Sequence, residues 1–349
     1  METPLLNEHR AAGARLGEFS ECTLPEGFST FDNEYRVARE AVALLDTNWH
    51  AVIQLTGPDR VRYLNAIVSN NVQSLAEGRG TLALLLNPQG HILAELEIYN
   101  LPNKLLVLSH AAVRARTAST LDKYIVMDDV QLDDLTDQVG AIAIEGPRAA
   151  AIIRQASGVP LEDLPEMAVK EVAIERIPCQ LLRRTHFGEA GAELVVRRDR
   201  LTWLWQKLLP VMKAHGGEPV GMLALNALRL EAGKPWFPLD FNDSVIPQEA
   251  AIQDTHVSFS KGCYTGQEIV ERVRSRGHVN RKRVCLRFSM SQPPVPGTKL
   301  HADGKEVGYV TSAAFSPRAS VAIGMGYVRT ELSVPETRLE LEGGSAAVV

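Results

Sequence analysis

An internal repeat restricts the fold more than any other feature of the chain. Val52-Ile53-Gln54-Leu55-Thr56 alternates like a half-buried strand and stops at Gly57-Pro58. Ala141-Ile142-Ala143-Ile144-Glu145 is again strand-like and stops at Gly146-Pro147. Apolar residues at helical spacing follow each stop, to about Val68 in the first copy and Gln155 in the second. Pro58 suits the first position of its helix, where a missing N–H costs nothing. In the first copy, strand-like runs at 81–86 and 92–99 flank the turn sequence Asn87-Pro88-Gln89-Gly90. A third run at 104–109 and a helix at 111–123 complete it. In the second copy, 171–177, 180–186 and 192–196 read as strands and 200–214 as a helix. The pattern predicts an α+β protein of two related strand–helix–sheet–helix units, each with an antiparallel sheet.

Outside the repeat the chain changes character twice. The first 30 or so residues read as irregular and surface-wrapping, followed by a helix over 33–45. From about Arg283 onward, short β-like runs alternate with turns, and Asp303-Gly304 is a hairpin turn signal. This predicts a small antiparallel barrel. The expected division is 1–138, 139–280 and 281–349, with the last boundary falling in 276–283. A chain of 349 residues exceeds what one core usually serves, which agrees with several units.

Composition narrows the function classes. The formal net charge is −5, so no global positive excess points to nucleic acid. No apolar run approaches the roughly 20 residues of a membrane helix, and the N-terminus lacks the pattern of a signal peptide. The four cysteines, Cys22, Cys179, Cys263 and Cys285, form no CxxC pair. Neither a disulfide framework nor a metal site is expected, and free thiols fit a reducing cytoplasm.

The most informative segment is Lys261-Gly262-Cys263-Tyr264-Thr265-Gly266-Gln267-Glu268. Thr265 is placed to cap a helix beginning at Gly266. Cys263 would then lie near a positive helix N-terminus with Lys261 two residues away, and both favour a thiolate. A small apolar residue buried in a turn is the other reading of this cysteine. Arg272, Arg274, Arg276, His278, Arg281, Lys282 and Arg283 follow. They suit an anionic ligand or partner, or a solvated connector. No aromatic residue interrupts the run, so direct nucleic-acid binding is not expected. Arg229 lies on a helix ended by Gly233 and could fork onto a carboxylate or a heterocycle edge, or form a surface ion pair. Glu193 begins a strand after a glycine-rich turn. There it could accept paired N–H donors from a pterin-like ring or stand as an exposed hairpin charge.

Read in order, these segments resemble one family. Thr56-Gly57-Pro58-Asp59-Arg60, Leu86-Asn87-Pro88-Gln89-Gly90-His91-Ile92-Leu93, Gly188 to Glu193, Leu228-Arg229-Leu230-Glu231-Ala232-Gly233 and Pro247-Gln248-Glu249 are similar to the glycine-cleavage T-protein superfamily. The Cys263 segment resembles the signature of its YgfZ branch, as does Asp303-Gly304-Lys305-Glu306-Val307-Gly308 with Thr311-Ser312. The resemblance implies a three-domain ring around a central site for tetrahydrofolate or a derivative. It implies folate contacts from Glu193, Arg229, Asn87, Tyr264, Gln267 and Glu268, and a working pair in Cys263 and Lys261. It further implies an accessory role toward iron–sulfur client proteins, including radical enzymes that modify tRNA; a monomer is expected.

One departure from the parent enzymes bears on activity. The aminomethyltransferases carry an acidic pair after the turn, where this chain has Ala94 and Glu95, and an aspartate where it has Cys263. The longer Glu95 would misplace its charge, and a displacement of about 1 Å can cost on the order of a hundredfold in rate. The expectation is that the chain is not a true aminomethyltransferase. The alternative is a tetrahydrofolate-dependent aminomethyltransferase or demethylase with Glu95 as general base.

Overall fold

The computed structural model describes residues 1–349, the side chain of Arg276 apart. The chain is α+β, with two antiparallel-rich sheets and a closed six-stranded C-terminal β-barrel. The first sheet orders its strands Gly80–Leu86, Ile92–Leu101, Lys104–His110, His50–Thr56 and Gln131–Asp134. The second orders Val169–Ile174, Ile177–Leu182, Gly191–Arg197, Val139–Glu145, Ala43–Asp46 and Glu218–Pro219. The last of these pairs in parallel and the others antiparallel. Buried residues from both sheets meet in one cluster, including Val52, Tyr99 and Leu108 from the first and Ala141, Leu182 and Val195 from the second.

The Gly-Pro stops of the repeat have a steric cause. Gly57 and Gly146 have φ of +96° and +139°, where side chains are strained. A Cβ would lie 2.2 Å from the Asp129 carbonyl oxygen at Gly57 and 2.8 Å from that of Ala41 at Gly146. Both strands thus end where another backbone passes too close for a side chain. The helices begin later than their prolines suggest, at Arg60 and Ala149, so Pro58 stands before its helix rather than at its first position.

Four further expectations are corrected. Residues 1–30 are ordered into a helix, Leu6–Ala11, and a hairpin of Arg15–Phe19 with Cys22–Gly27. His9 is fully buried there, its Nε2 2.6 Å from Asp46. The helix over 33–45 is Phe31–Glu40, started by Thr30 accepting from the Asn33 N–H, and Ala43–Asp46 is a strand. All four residues of that strand are buried, so its apolar run reads as a continuation of the helix pattern. The run 171–177 is broken by a hairpin turn at Glu175 and Arg176, both at positive φ without glycine or asparagine to signal it. Finally, the sheets do not divide the chain at 138/139. Ala43–Asp46 pairs with Val139–Glu145, while Phe241, Ile252, Tyr264 and Val270 pack into the core of the first sheet. Each unit completes its core with a segment from the other's stretch of chain.

The barrel is formed by Arg281–Phe288, Val321–Arg329, Lys305–Ser316, Lys299–Ala302, Arg338–Leu341 and Gly344–Val348. Asp303 and Gly304 form its hairpin turn with φ of +51° and +72°. Asp240 ties the barrel to the body. One of its carboxylate oxygens accepts from the hydroxyls of Thr311 at 2.6 Å and Ser312 at 2.5 Å, and its carbonyl accepts from the Tyr327 hydroxyl at 2.9 Å.

Candidate active site

A cavity of about 260 Å³ lies among the N-terminal hairpin, the first sheet, the loop after Ile177–Leu182, the helix Met222–Glu231 and the segment 235–239. Strand alternation puts Glu95 and Glu97, two positions apart on Ile92–Leu101, on one face, and both line the cavity. Trp49 and His50 enter from the start of His50–Thr56, Arg184 and His186 from the loop, and Trp236 from the segment 235–239, its ring centre 6.0 Å from that of Trp49.

The charged groups on this wall are sorted by their partners. Glu97 accepts from Arg184 at 2.8 Å and from the Tyr99 hydroxyl at 2.9 Å. Burial alone would raise its pKa, but Arg184, followed by His50, brings it below the ordinary carboxylate value. Glu95 has a different partner: its Oε1 lies 2.9 Å from Nε2 of His256. His110, also on the cavity, is pushed down to about 4 by burial and then by His50.

Glu193 is fully buried one layer behind the wall. Its oxygens lie 3.6 Å from His50 Nε2 and 3.5 Å from His186 Nε2, beyond hydrogen-bond length. All four atoms lack a hydrogen-bond partner, which buried polar groups rarely do. Burial would raise the Glu193 pKa, yet the two imidazoles outweigh it and hold the carboxyl well below its usual range. Glu193 in turn raises His50 against the opposing effect of burial. His186 is fixed by Glu145, whose carboxylate accepts the backbone N–H groups of His186 at 2.6 Å and Phe187 at 2.9 Å. Lys234 clamps the same loop through the carbonyl and hydroxyl of Thr185, at 2.7 and 2.8 Å.

Arg229 is fully buried and does not line the cavity. Its guanidinium donates to Asn226 Oδ1 at 2.8 and 2.9 Å, to the Lys234 carbonyl at 3.1 Å and to Asp240. Its Cζ lies 4.8 Å from the centre of the Trp236 ring. Arg229 therefore supports an aromatic wall of the cavity from behind and presents no free fork to a ligand.

The remaining expected residues gather elsewhere, around the Cys263 loop. Among the described residues, Asn87, Lys261, Cys263, Tyr264, Gln267 and Glu268 do not line the cavity. Asn87 organises its own turn, its Oδ1 accepting the N–H groups of Gln89 and His91 at 2.9 Å. That turn packs on Gly266, where a Cβ would lie 2.6 Å from the Asn87 carbonyl oxygen. Gly266, at φ +82°, is the residue before the helix Gln267–Arg276, so Thr265 is not its cap. Lys261 points its ammonium at the carbonyls of Asn65, Val68 and Asn70, at the end of the helix Arg60–Ile67, and burial brings its pKa down to about 8. It is engaged by these carbonyls and is no free cation for the thiol. Tyr264 is buried with its hydroxyl unpartnered. Glu268 is exposed and pairs with Arg272 at 2.6 Å. Of the four cysteines, Cys263 is the exposed one.

The basic run downstream is largely paired. Arg274 reaches Glu271 and stacks on Phe259, Arg281 reaches Glu249, and Arg283 donates to the Ala250 carbonyl. The side chain of Arg276 lies outside the described residues. Sequence reading missed His50, His186, Trp49, Trp236, Arg184 and Glu97 as wall residues. One signal was available: Glu95-Leu96-Glu97 sets two carboxylates on the same face of an otherwise apolar strand.

A cavity lined by tilted and edge-on aromatic rings, with unsatisfied buried polar atoms behind it, on two sheets tied to a barrel, is the kind of place where proteins bind a small ligand. The chain belongs to the glycine-cleavage T-protein family: residues 5–261 match the GCVT N-terminal domain and residues 281–348 the glycine cleavage T-protein C-terminal barrel domain. It is 29% identical over 334 residues to an aminomethyltransferase of Desulforamulus reducens, covering 93% of this chain and 89% of that one. It is 26% identical over 342 residues to the Bacillus subtilis aminomethyltransferase, covering 97% and 94%. The crystal structure of the glycine cleavage system aminomethyltransferase T from Bartonella henselae superposes with a TM-score of 0.91 at 26% identity, covering 100% of this chain and 96% of that one. Among the described residues, no helix is long and apolar enough to cross a membrane.

Proposed function

We propose that the central cavity binds a reduced folate, tetrahydrofolate or a derivative, with the pterin ring directed toward Glu193. The observation that carries this reading is the Glu193 carboxylate, fully buried and without a hydrogen-bond partner beside the cavity wall. An edge of paired N–H donors is what such a carboxylate lacks. Nε2 of His50 and of His186 are unsatisfied next to it, and Trp49 and Trp236 offer flat apolar faces to a ring.

The folate then serves a function carried by Cys263: an accessory role toward iron–sulfur client proteins, as in the YgfZ branch. Two observations favour it. By the family resemblance, Ala94 and Glu95 stand where the transferases carry an acidic pair, and Ala94 is fully buried. The Cys263 thiol is exposed outside the cavity-lining set, on a loop anchored by Lys261 and Gly266, which suits presentation to a second macromolecule. The second reading, aminomethyl transfer to tetrahydrofolate, is favoured by Glu95 on the cavity with an imidazole beside it, and by the names of the relatives.

Two assays separate them. In a bacterial host lacking its own family member, wild type but not Cys263→Ala should restore methylthio-modified tRNA, the product of a radical iron–sulfur enzyme. Equal restoration by both proteins would remove the role given to Cys263. Formation of methylene-tetrahydrofolate from an aminomethyl donor, lost in Glu95→Gln, would instead establish the transferase.

A further inference from the structure

Glu95 and Glu97 share a strand face and a cavity, yet their partners differ in kind. Arg184 can only donate, so Glu97 is held as a carboxylate. The partner of Glu95 is His256, a side chain that can donate or accept at Nε2. His256 comes from the short helix Gln253–His256, is buried, and does not line the cavity. Phe241 packs against its ring edge at 6.4 Å. Its other nitrogen decides its state. Nδ1 lies 3.2 Å from the Ile252 carbonyl oxygen and 2.7 Å from the Thr255 hydroxyl oxygen. That hydroxyl donates to the same carbonyl at 3.1 Å. A bare Nδ1 would set its lone pair against the Ile252 carbonyl, whereas an N–H there is satisfied by both oxygens. With Nδ1 protonated, a neutral ring has only a lone pair at Nε2. A lone pair facing a carboxylate oxygen at 2.9 Å is repulsive, so a proton must lie between them.

We propose that Glu95 and His256 hold one shared proton, and that His256 is the positioning residue that sets whether a ligand in the cavity meets Glu95 as a carboxylate or as a carboxylic acid. The proton moves between His256 Nε2 and Glu95 Oε1 with no change in net charge. Glu97 and Arg184, which line the cavity together with Glu95, are already matched to each other. On the far side stand the Thr255 hydroxyl, the Ile252 carbonyl and the Phe241 ring. The role in the cavity rests on the folate reading above; the shared proton does not.

The test is nitrogen NMR of the full-length chain with labelled histidine, His256→Gln serving to assign the signal. In wild type, Nδ1 carries its proton, and the Nε2 shift lies between the bare and the protonated positions. Glu95→Gln replaces an acceptor with an amide that can donate, so Nε2 moves to the bare position while Nδ1 keeps its proton. A bare Nδ1 in wild type, or an Nε2 signal indifferent to Glu95→Gln, would overturn the proposal. Tetrahydrofolate is then added under reducing conditions, with binding followed independently by tryptophan fluorescence. The Nε2 signal should move in wild type and stay still in Glu95→Gln. Folate that binds without moving the Nε2 signal would reduce the pair to structure. A wild type that binds no tetrahydrofolate, with the proton signature intact, would sink the folate reading and the pair's role in the cavity with it.

Discussion

The cavity wall and the Cys263 loop treat polar groups in opposite ways. At the wall and one layer behind it, His50, His186 and Glu193 hold buried polar atoms left unsatisfied, an arrangement that costs stability unless a ligand completes it. At the loop, the polar groups are mostly completed by the protein. Lys261 is surrounded by three carbonyls, Asn87 closes its own turn, and Glu268 pairs with Arg272, while the thiol of Cys263 is left to solvent. The first region is built to receive a small polar ligand. The second is a hydrogen-bonded frame around one exposed cysteine. The segment that most resembles a family signature thus forms a frame, while the cavity is lined by residues scattered along the chain.

The largest effect should come from the support of the wall. Asp240→Ala leaves Arg229 buried without its counter-charge, a change that costs about 3–5 kcal/mol. Urea unfolding should show that loss, and a cost under about 1 kcal/mol would show that Asp240 does not hold the wall and barrel together. Next is the frame of the loop. Lys261→Met removes the donors to three carbonyls and should cost about 1–3 kcal/mol, speed alkylation of Cys263, and leave folate affinity unchanged. A matching loss of folate binding would erase the distinction between the regions.

A smaller effect should follow pH. Glu193 raises the His50 pKa in the folded chain, so His50 adds stability that is fully present below its unfolded value near 6.5. That contribution fades as pH rises through the raised folded value. Glu193 behaves oppositely: its depressed pKa adds stability above the ordinary carboxylate range that is lost on strong acidification. The stability difference between wild type and His50→Gln should therefore shrink as pH rises from about 6.5. A difference that grows would contradict the assigned polarity. The smallest effect is at the thiol itself, where Cys263→Ser should stay within about 0.5 kcal/mol of wild type because the side chain is exposed.

The sequence carried the fold further than the site. The two Gly-Pro stops were legible because both mark close backbone approaches, and Asp303-Gly304 because a hairpin turn with positive φ favours that pair. The exchange of segments between the units was hidden. Ala43–Asp46 is buried on both faces and so has no strand alternation to read. The turn at Glu175-Arg176 was hidden by residue types that rarely adopt positive φ. For the site, Glu193 and Arg229 were legible as charged residues in ordered elements, but spacing cannot tell a ligand-facing arginine from one held by Asp240 eleven positions later. His50, Arg184 and His186 converge only through the tertiary fold, so no local pattern could have joined them.

The most direct test of the account is calorimetric titration of tetrahydrofolate into wild type and Glu193→Gln at neutral pH. Hydrogen bonds to a charged group contribute about 1.5–3 kcal/mol, so the variant should bind about ten- to a hundredfold more weakly while remaining folded. Equal affinity of the two proteins, or no binding to wild type, would contradict a folate site at Glu193.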